Sequence, residues 1–188
     1  MKRLNFLEFI KSYAFVIGVL KSFAILSCAI AGWLLGNVSA GLTAATTIIM
    51  IAPSDIPGNR KHHLGGIIIA TLFVAISSVS VNFVNAYGSL WQLLSLMAIL
   101  TFGYAYISLY GARAAMVSIA GIFTLTLALV RPQEGIHILY NALYIFLAGA
   151  WYILLVRILM WIRPRQYSEQ LLAKCMTLTA KYLHTRAL

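Results

Sequence analysis

A lysine in the middle of an apolar run is the first residue here whose chemistry needs a reason. Lys21 lies near the centre of residues 12–35, where a cation costs roughly 2.5–3.5 kcal/mol on insertion scales and more on an isolated helix. Steps of three and four from it reach Ala14, Gly18, Ala24, Cys28 and Gly32, a small-residue face suited to packing against other helices rather than lipid. Two chemistries fit. Lys21 is either an electropositive point in a permeation or substrate path, or a structural cation bonded to helix carbonyls or a carboxylate.

Four more residues join it as candidate substrate contacts. Arg157 lies five residues before Ile162, about 8 Å of helix rise, so it can also snorkel to the membrane edge. Thr71, Ala75, Ser78, Asn82 and Asn85 repeat at 4-3-4-3 spacing. A polar stripe of this kind on a membrane helix must face protein or water. It lines a hydrated path or bonds to a neighbouring helix, with Thr43 and Thr47 placed to face it. The candidate binding set is therefore Lys21, Arg157, Thr43, Thr47 and Ser78.

Other chemistry finds little support. His62 and His63 are adjacent, so on a helix they point about 100° apart and suit a shared metal poorly. Cys28 and Cys175 form no disulfide framework or metal-ligand spacing. There is no nucleophile–base set, paired carboxylate or glycine-rich phosphate loop, so neither an enzyme nor a cofactor is expected. No acid lies mid-membrane, which favours a channel-like or externally driven path over a self-contained antiporter.

These residues are set in a chain that is 62% apolar and only 10% charged over 188 residues, with a mean hydropathy of +0.90. Soluble domains are roughly 45–50% apolar. At about 20 residues per membrane helix, the length accommodates six spans. They are expected at 12–35, 38–52, 64–84, 89–110, 114–130 and 139–162, an all-α polytopic membrane protein of three helical hairpins. The second is short and rich in small and hydroxyl residues, which permits close packing. Lys21 interrupts the first run and no cleavage site follows it cleanly, so that run reads as an uncleaved span. Trp33, Trp91, Trp151, Tyr87, Tyr110 and Trp161 lie near span ends and fit an interfacial aromatic belt.

The net charge of +10 would point to nucleic acid in a soluble chain. Here the cations flank apolar runs, so they report orientation and no nucleic-acid partner is expected. With the N-terminus inside, inner segments hold Lys2, Arg3, Lys11, Arg60, Lys61, Arg113, Arg163, Arg165, Lys174, Lys181 and Arg186; outer turns hold only Arg131, beside Glu134. Both termini are thus expected in the cytoplasm. Residues 52–63 read as a solvent-side loop on that face. Asp55, Arg60, Lys61, Arg113 and Arg163 are taken as structural and topology charges, and Asp55 is expected to pair with Arg60, Lys61 or Arg113.

Residues 1–11 place Leu4, Leu7 and Ile10 at helical spacing, which suits a short interfacial helix or a frayed terminus. Residues 163–188 begin with Arg163-Pro164-Arg165 and carry Leu171, Leu172, Cys175, Leu178, Tyr182 and Leu183 on one stripe. They form an expected amphipathic cytoplasmic helix with nothing in the chain to cover it. The chain is expected to stop where a cytoplasmic domain or partner surface begins.

Several features, in this order and spacing, resemble one family. They are the cation within the first span (Lys21), the acid and basic loop after the second (Asp55, Arg60), Ala150-Trp151-Tyr152, Arg163-Pro164, and the Leu172…Cys175…Leu178…Tyr182-Leu183 pattern. The chain resembles the N-terminal membrane half of the fusaric-acid-resistance (FUSC) family, most closely its YccS-type branch of bacterial inner-membrane proteins. Where the family usually shows arginine in span one, Lys21 stands here. The resemblance implies an exporter of aromatic carboxylates or related compounds, with plant aluminium-activated malate channels distantly similar. It also implies a following cytoplasmic domain and second membrane half.

The expected function is an inner-membrane efflux domain for organic, and by resemblance aromatic, anions. The alternative is a membrane scaffold or assembly subunit recruiting a cytoplasmic domain or partner. Besides the lipid bilayer, the expected partner is a second copy (a dimer) or a second membrane half.

Overall fold

The computed structural model describes residues 13–55 and 60–162, together with 176, 179 and 182; the side chains of 13, 14 and 60–63 lie outside this set. Six α-helices run through the described residues: α1 (Tyr13–Leu34), α2 (Val38–Ile51), α3 (Arg60–Tyr87), α4 (Leu90–Ser108), α5 (Ala112–Val130) and α6 (Ile136–Ile162). A 3-10 turn, Ala52–Ser54, follows α2. Two compact units are present, Lys21–Leu154 and the pair of chain ends Met1–Leu20 with Leu155–Leu188.

Five helices are long and apolar enough to cross a membrane, and α2 is a shorter apolar one. Its 14 residues rise about 21 Å, less than the roughly 30 Å of a hydrocarbon core. The protein is therefore a multi-pass helical membrane protein with five to six spans. Helix α3 starts earlier and ends later than hydropathy placed it, because helical backbone continues through the polar residues at both of its ends.

Local chemistry sets the ends. Asn37 caps α2, its side chain accepting from the Ala40 amide at 3.1 Å. Ser89 and Gln92 form a reciprocal capping box that starts α4, so two orphan amides are satisfied. Pro53 lacks an N–H and stops α2 at the 3-10 turn. Gly32 of α1 and Gly41 of α2 let two backbones touch, since a Cβ at either would collide with the other's Cα.

In the Lys21–Leu154 unit, α3, α4 and α5 pack on one another, and α2 packs on α3 and α5. Val81, Tyr104, Leu125 and Ala128 form the buried cluster at the three-helix contact. The Tyr104 hydroxyl pairs with that of Ser77, and Ser118 Oγ donates to the Tyr104 carbonyl at 2.5 Å. Such bonds between helices replace a hydrophobic drive that lipid does not supply. The turns do join the helices as hairpins α1–α2, α3–α4 and α5–α6, and α3 also packs extensively across hairpins on α5.

The expected segment 1–11 lies outside the described residues, as do Arg163 and most of the C-terminal stripe. Met176, Thr179 and Tyr182 are helical and exposed.

Candidate functional site

Four elements with polar residues on one face leave a space between them. From α2 come Ser39, Thr43, Thr46 and Thr47; from α3, Ser78 and Asn82; from α5, Thr124; from the α5–α6 turn and α6, Arg131, Gln133 and Asn141. Together with Met50, Val74, Ile145 and other apolar groups they line a cavity of about 300 Å³. It runs from the Arg131 turn along α2 as far as Met50.

The amides fix one wall. The Gln133 backbone N–H donates to Asn82 Oδ1 at 2.9 Å, so Asn82 Nδ2 is the donor to the Ser78 carbonyl at 2.8 Å. Asn141 Nδ2 donates to Ser78 Oγ at 2.9 Å, which ties α6 to α3. The threonine hydroxyls of α2 bond within their own helix: Thr43 to the Ser39 carbonyl at 3.0 Å and Thr47 to the Thr43 carbonyl at 2.8 Å. Helices that satisfy their own hydroxyls can border a space without leaving buried protons unpaired. Arg131 is exposed at the cavity mouth and is its only cation among the described residues.

The opposite end of α2 is packed differently. Ile48, Ile51 and Ile67 are fully buried there. Tyr152, also fully buried, donates its hydroxyl to Asp55 Oδ2 at 2.8 Å across 97 residues of sequence. Lys21 Nζ donates to the Ala52 carbonyl at 2.8 Å. That carbonyl, just past the end of α2, also accepts the Asp55 backbone N–H at 3.3 Å, so the ammonium adds a second bond at the negative end of the helix dipole. The register explains the meeting: Lys21 is 13 residues before the end of α1, Ala52 is 14 past the start of α2, and each lies about 20 Å from the turn between them.

Of the five candidate substrate contacts, Thr43, Thr47 and Ser78 are brought together in the cavity. Lys21 is half-buried and bonded to a helix carbonyl, one of the two chemistries open to it in the sequence. Arg157 is exposed on α6. The polar stripe of α3 divides: Ser78 and Asn82 face the cavity, Thr71 is buried over Gly149, and Asn85 is exposed.

The loop reading of residues 52–63 needs correction at its start. Ala52, Ser54 and Asp55 are buried, Asp55 to 6% exposure. Because α2 is too short to reach the membrane edge, its last residues turn inside protein, where irregular backbone at membrane depth can persist. The partner shown for Asp55 is the Tyr152 phenol; the side chains of Arg60 and Lys61 lie outside the described residues.

Arg131, Gln133, Asn141, Thr46 and Thr124 were not singled out from sequence as binding residues. Asn141 carried a signal: Asn141, Ile145, Ala148 and Tyr152 repeat at 4-3-4 spacing, and the last three are buried. That stripe marks the inward face of α6.

Comparison with known families bears on residues 66–188, which match FUSC-like, described as FUSC-like inner membrane protein yccS. The chain belongs to this FUSC-like family. The match takes in α3 to α6, hence Ser78, Asn141 and Tyr152, and begins after Lys21 and Asp55. Two features of the family resemblance, the acid after the second apolar helix and Ala150-Trp151-Tyr152, are joined by the Tyr152–Asp55 bond. No curated protein and no solved structure matches the chain.

Proposed function

We propose that the chain is the membrane domain of a transporter for organic anions in the bacterial inner membrane, with the polar cavity as the outer part of the path. The observation that carries this reading is the convergence of Arg131, Ser78, Asn82, Asn141, Thr43 and Thr47 on one space. Polar residues at membrane depth are expensive and mark substrate or ion routes by default. Membership of a FUSC-like family supports a transport-related role.

The excess of lysine and arginine in the opposite segments supports cytoplasmic termini, which turns the Arg131 mouth outward. Arg131 then supplies the positive potential, and Lys21 holds the inner end of α2. A second copy or second membrane half would cover the lipid-facing side of the bundle; only 6% of the membrane window of α4 is buried within this chain.

Flux of radiolabelled organic acids into proteoliposomes containing the full-length protein tests the reading. Uptake above that of empty vesicles, reduced about tenfold by Arg131→Gln, is expected. Undetectable flux of every acid tried, from protein of verified fold, would remove it.

A further inference from the structure

The hydroxyl oxygens of the cavity are not equivalent donors and acceptors. A hydroxyl has one proton and two lone pairs. Thr43 and Thr47 commit that proton to carbonyls of α2, at 3.0 and 2.8 Å. Thr46 commits its proton to the Leu42 and Thr43 carbonyls, and Thr124 commits its own to Ala120 at 2.8 Å on α5. All four side chains line the cavity. What they can offer a solute is lone pairs alone.

The facing wall has the opposite character. Ser78 Oγ already accepts from Asn141 Nδ2, at 2.9 Å, so its own proton is available to a solute. Asn141 holds a second N–H, and Arg131 stands at the mouth with five donors. Donors gather near the mouth and on α3 and α6. The threonine acceptors line α2 and α5, with Ser39 at the start of α2 keeping a hydroxyl that can donate or accept.

We infer that this cavity selects organic acids that also carry an O–H or N–H donor, and that Thr43, Thr47 and Thr124 are its specificity-determining residues. The inference rests on the cavity being a solute path. A carboxylate meets Arg131 and the amide N–H groups, while a hydroxyl or amino group on the same molecule donates to the threonine oxygens. An acid without such a donor displaces water from those lone pairs and returns nothing. One net hydrogen bond corresponds to roughly 3- to 10-fold preference.

The test is a matched pair of acids, mandelate and phenylacetate, which differ by one hydroxyl. Flux of each is measured in proteoliposomes with the full chain, its Thr47→Val and Thr124→Val variants, and Thr47→Ser. Valine preserves shape and deletes the acceptor; serine retains it. The expected result is mandelate flux roughly 3- to 10-fold above phenylacetate flux. Either valine variant should bring the ratio near unity by slowing mandelate alone, and Thr47→Ser should keep the preference. Equal flux of the two acids by the unmodified protein overturns the inference while leaving transport intact. So does a valine variant that slows both acids equally, since that marks a structural role. Flux of neither acid above empty vesicles counts against the transport reading and takes this inference with it.

Discussion

At the Arg131 end of the Lys21–Leu154 unit, polar side chains of α2, α3, α5 and α6 stand around about 300 Å³ of space. At the Asp55 end, Ile48, Ile51, Ile67 and Tyr152 are fully buried. The same α2 serves both. Along its first three turns each threonine bonds back to its own helix; just past its last residue the Ala52 carbonyl is met by Lys21 from another helix. Hydroxyls satisfied locally allow neighbouring helices to stand apart. Groups satisfied only across helices hold those helices together. Polarity in a membrane bundle therefore builds either a space or a seal, depending on where the hydrogen bonds end.

Substitutions at the two ends should consequently fail in different ways. The largest effect is expected where α1 and α2 touch: Gly41→Leu forces a side chain into the Gly32 backbone. A loss of about 3 kcal/mol or more is expected, read as failure to recover monodisperse protein in detergent. A variant that purifies with an unchanged melting temperature would show that this hairpin does not hold the bundle.

Next comes the seal. Tyr152→Phe deletes the donor to buried Asp55 and should cost about 1–3 kcal/mol, lowering the thermal midpoint while leaving Arg131-dependent solute binding in place. Lys21→Met should act in the same direction by about 1–2 kcal/mol, because it removes the charged one of the two donors to the buried Ala52 carbonyl. If Lys21→Met instead leaves stability intact and abolishes flux, Lys21 belongs to the path and the division between the two ends is wrong.

Arg131→Gln should show the reverse pattern. Exposed at the mouth, it should shift stability by less than about 0.5 kcal/mol and flux by about tenfold. A thermal midpoint that falls with unchanged flux would reassign Arg131 to structure.

The sequence exposed these two ends unequally. The membrane helices followed from hydropathy, and the shared faces of Thr43 with Thr47 and of Ser78 with Asn82 from the helical repeat; that those two faces meet across one cavity is seen only in the packing. The fate of Lys21 was not legible. Its cost in lipid was plain, but its partner is a main-chain carbonyl made available by Pro53 and by equal spacing from a turn, and no side-chain pattern encodes that. Asp55 was conspicuous in sequence for its basic neighbours, whereas the bond it makes to Tyr152 spans 97 residues. Arg131 was counted only as the one outer charge, beside Glu134, in the orientation rule. Only packing of that turn on Asn82 brings it to the cavity.

The proposed contrast between a solute-accessible Arg131 end facing outward and a sealed Asp55 end is tested most directly by thiol accessibility. With Cys28 and Cys175 replaced by alanine, single cysteines at Thr47 and Ile67 are exposed to a membrane-impermeant maleimide in intact cells and in inverted vesicles. Thr47→Cys should label from the outside only, and Ile67→Cys from neither side. Labelling of Thr47→Cys solely from the cytoplasmic side, or of Ile67→Cys from outside at a similar rate, would contradict both the orientation and the seal.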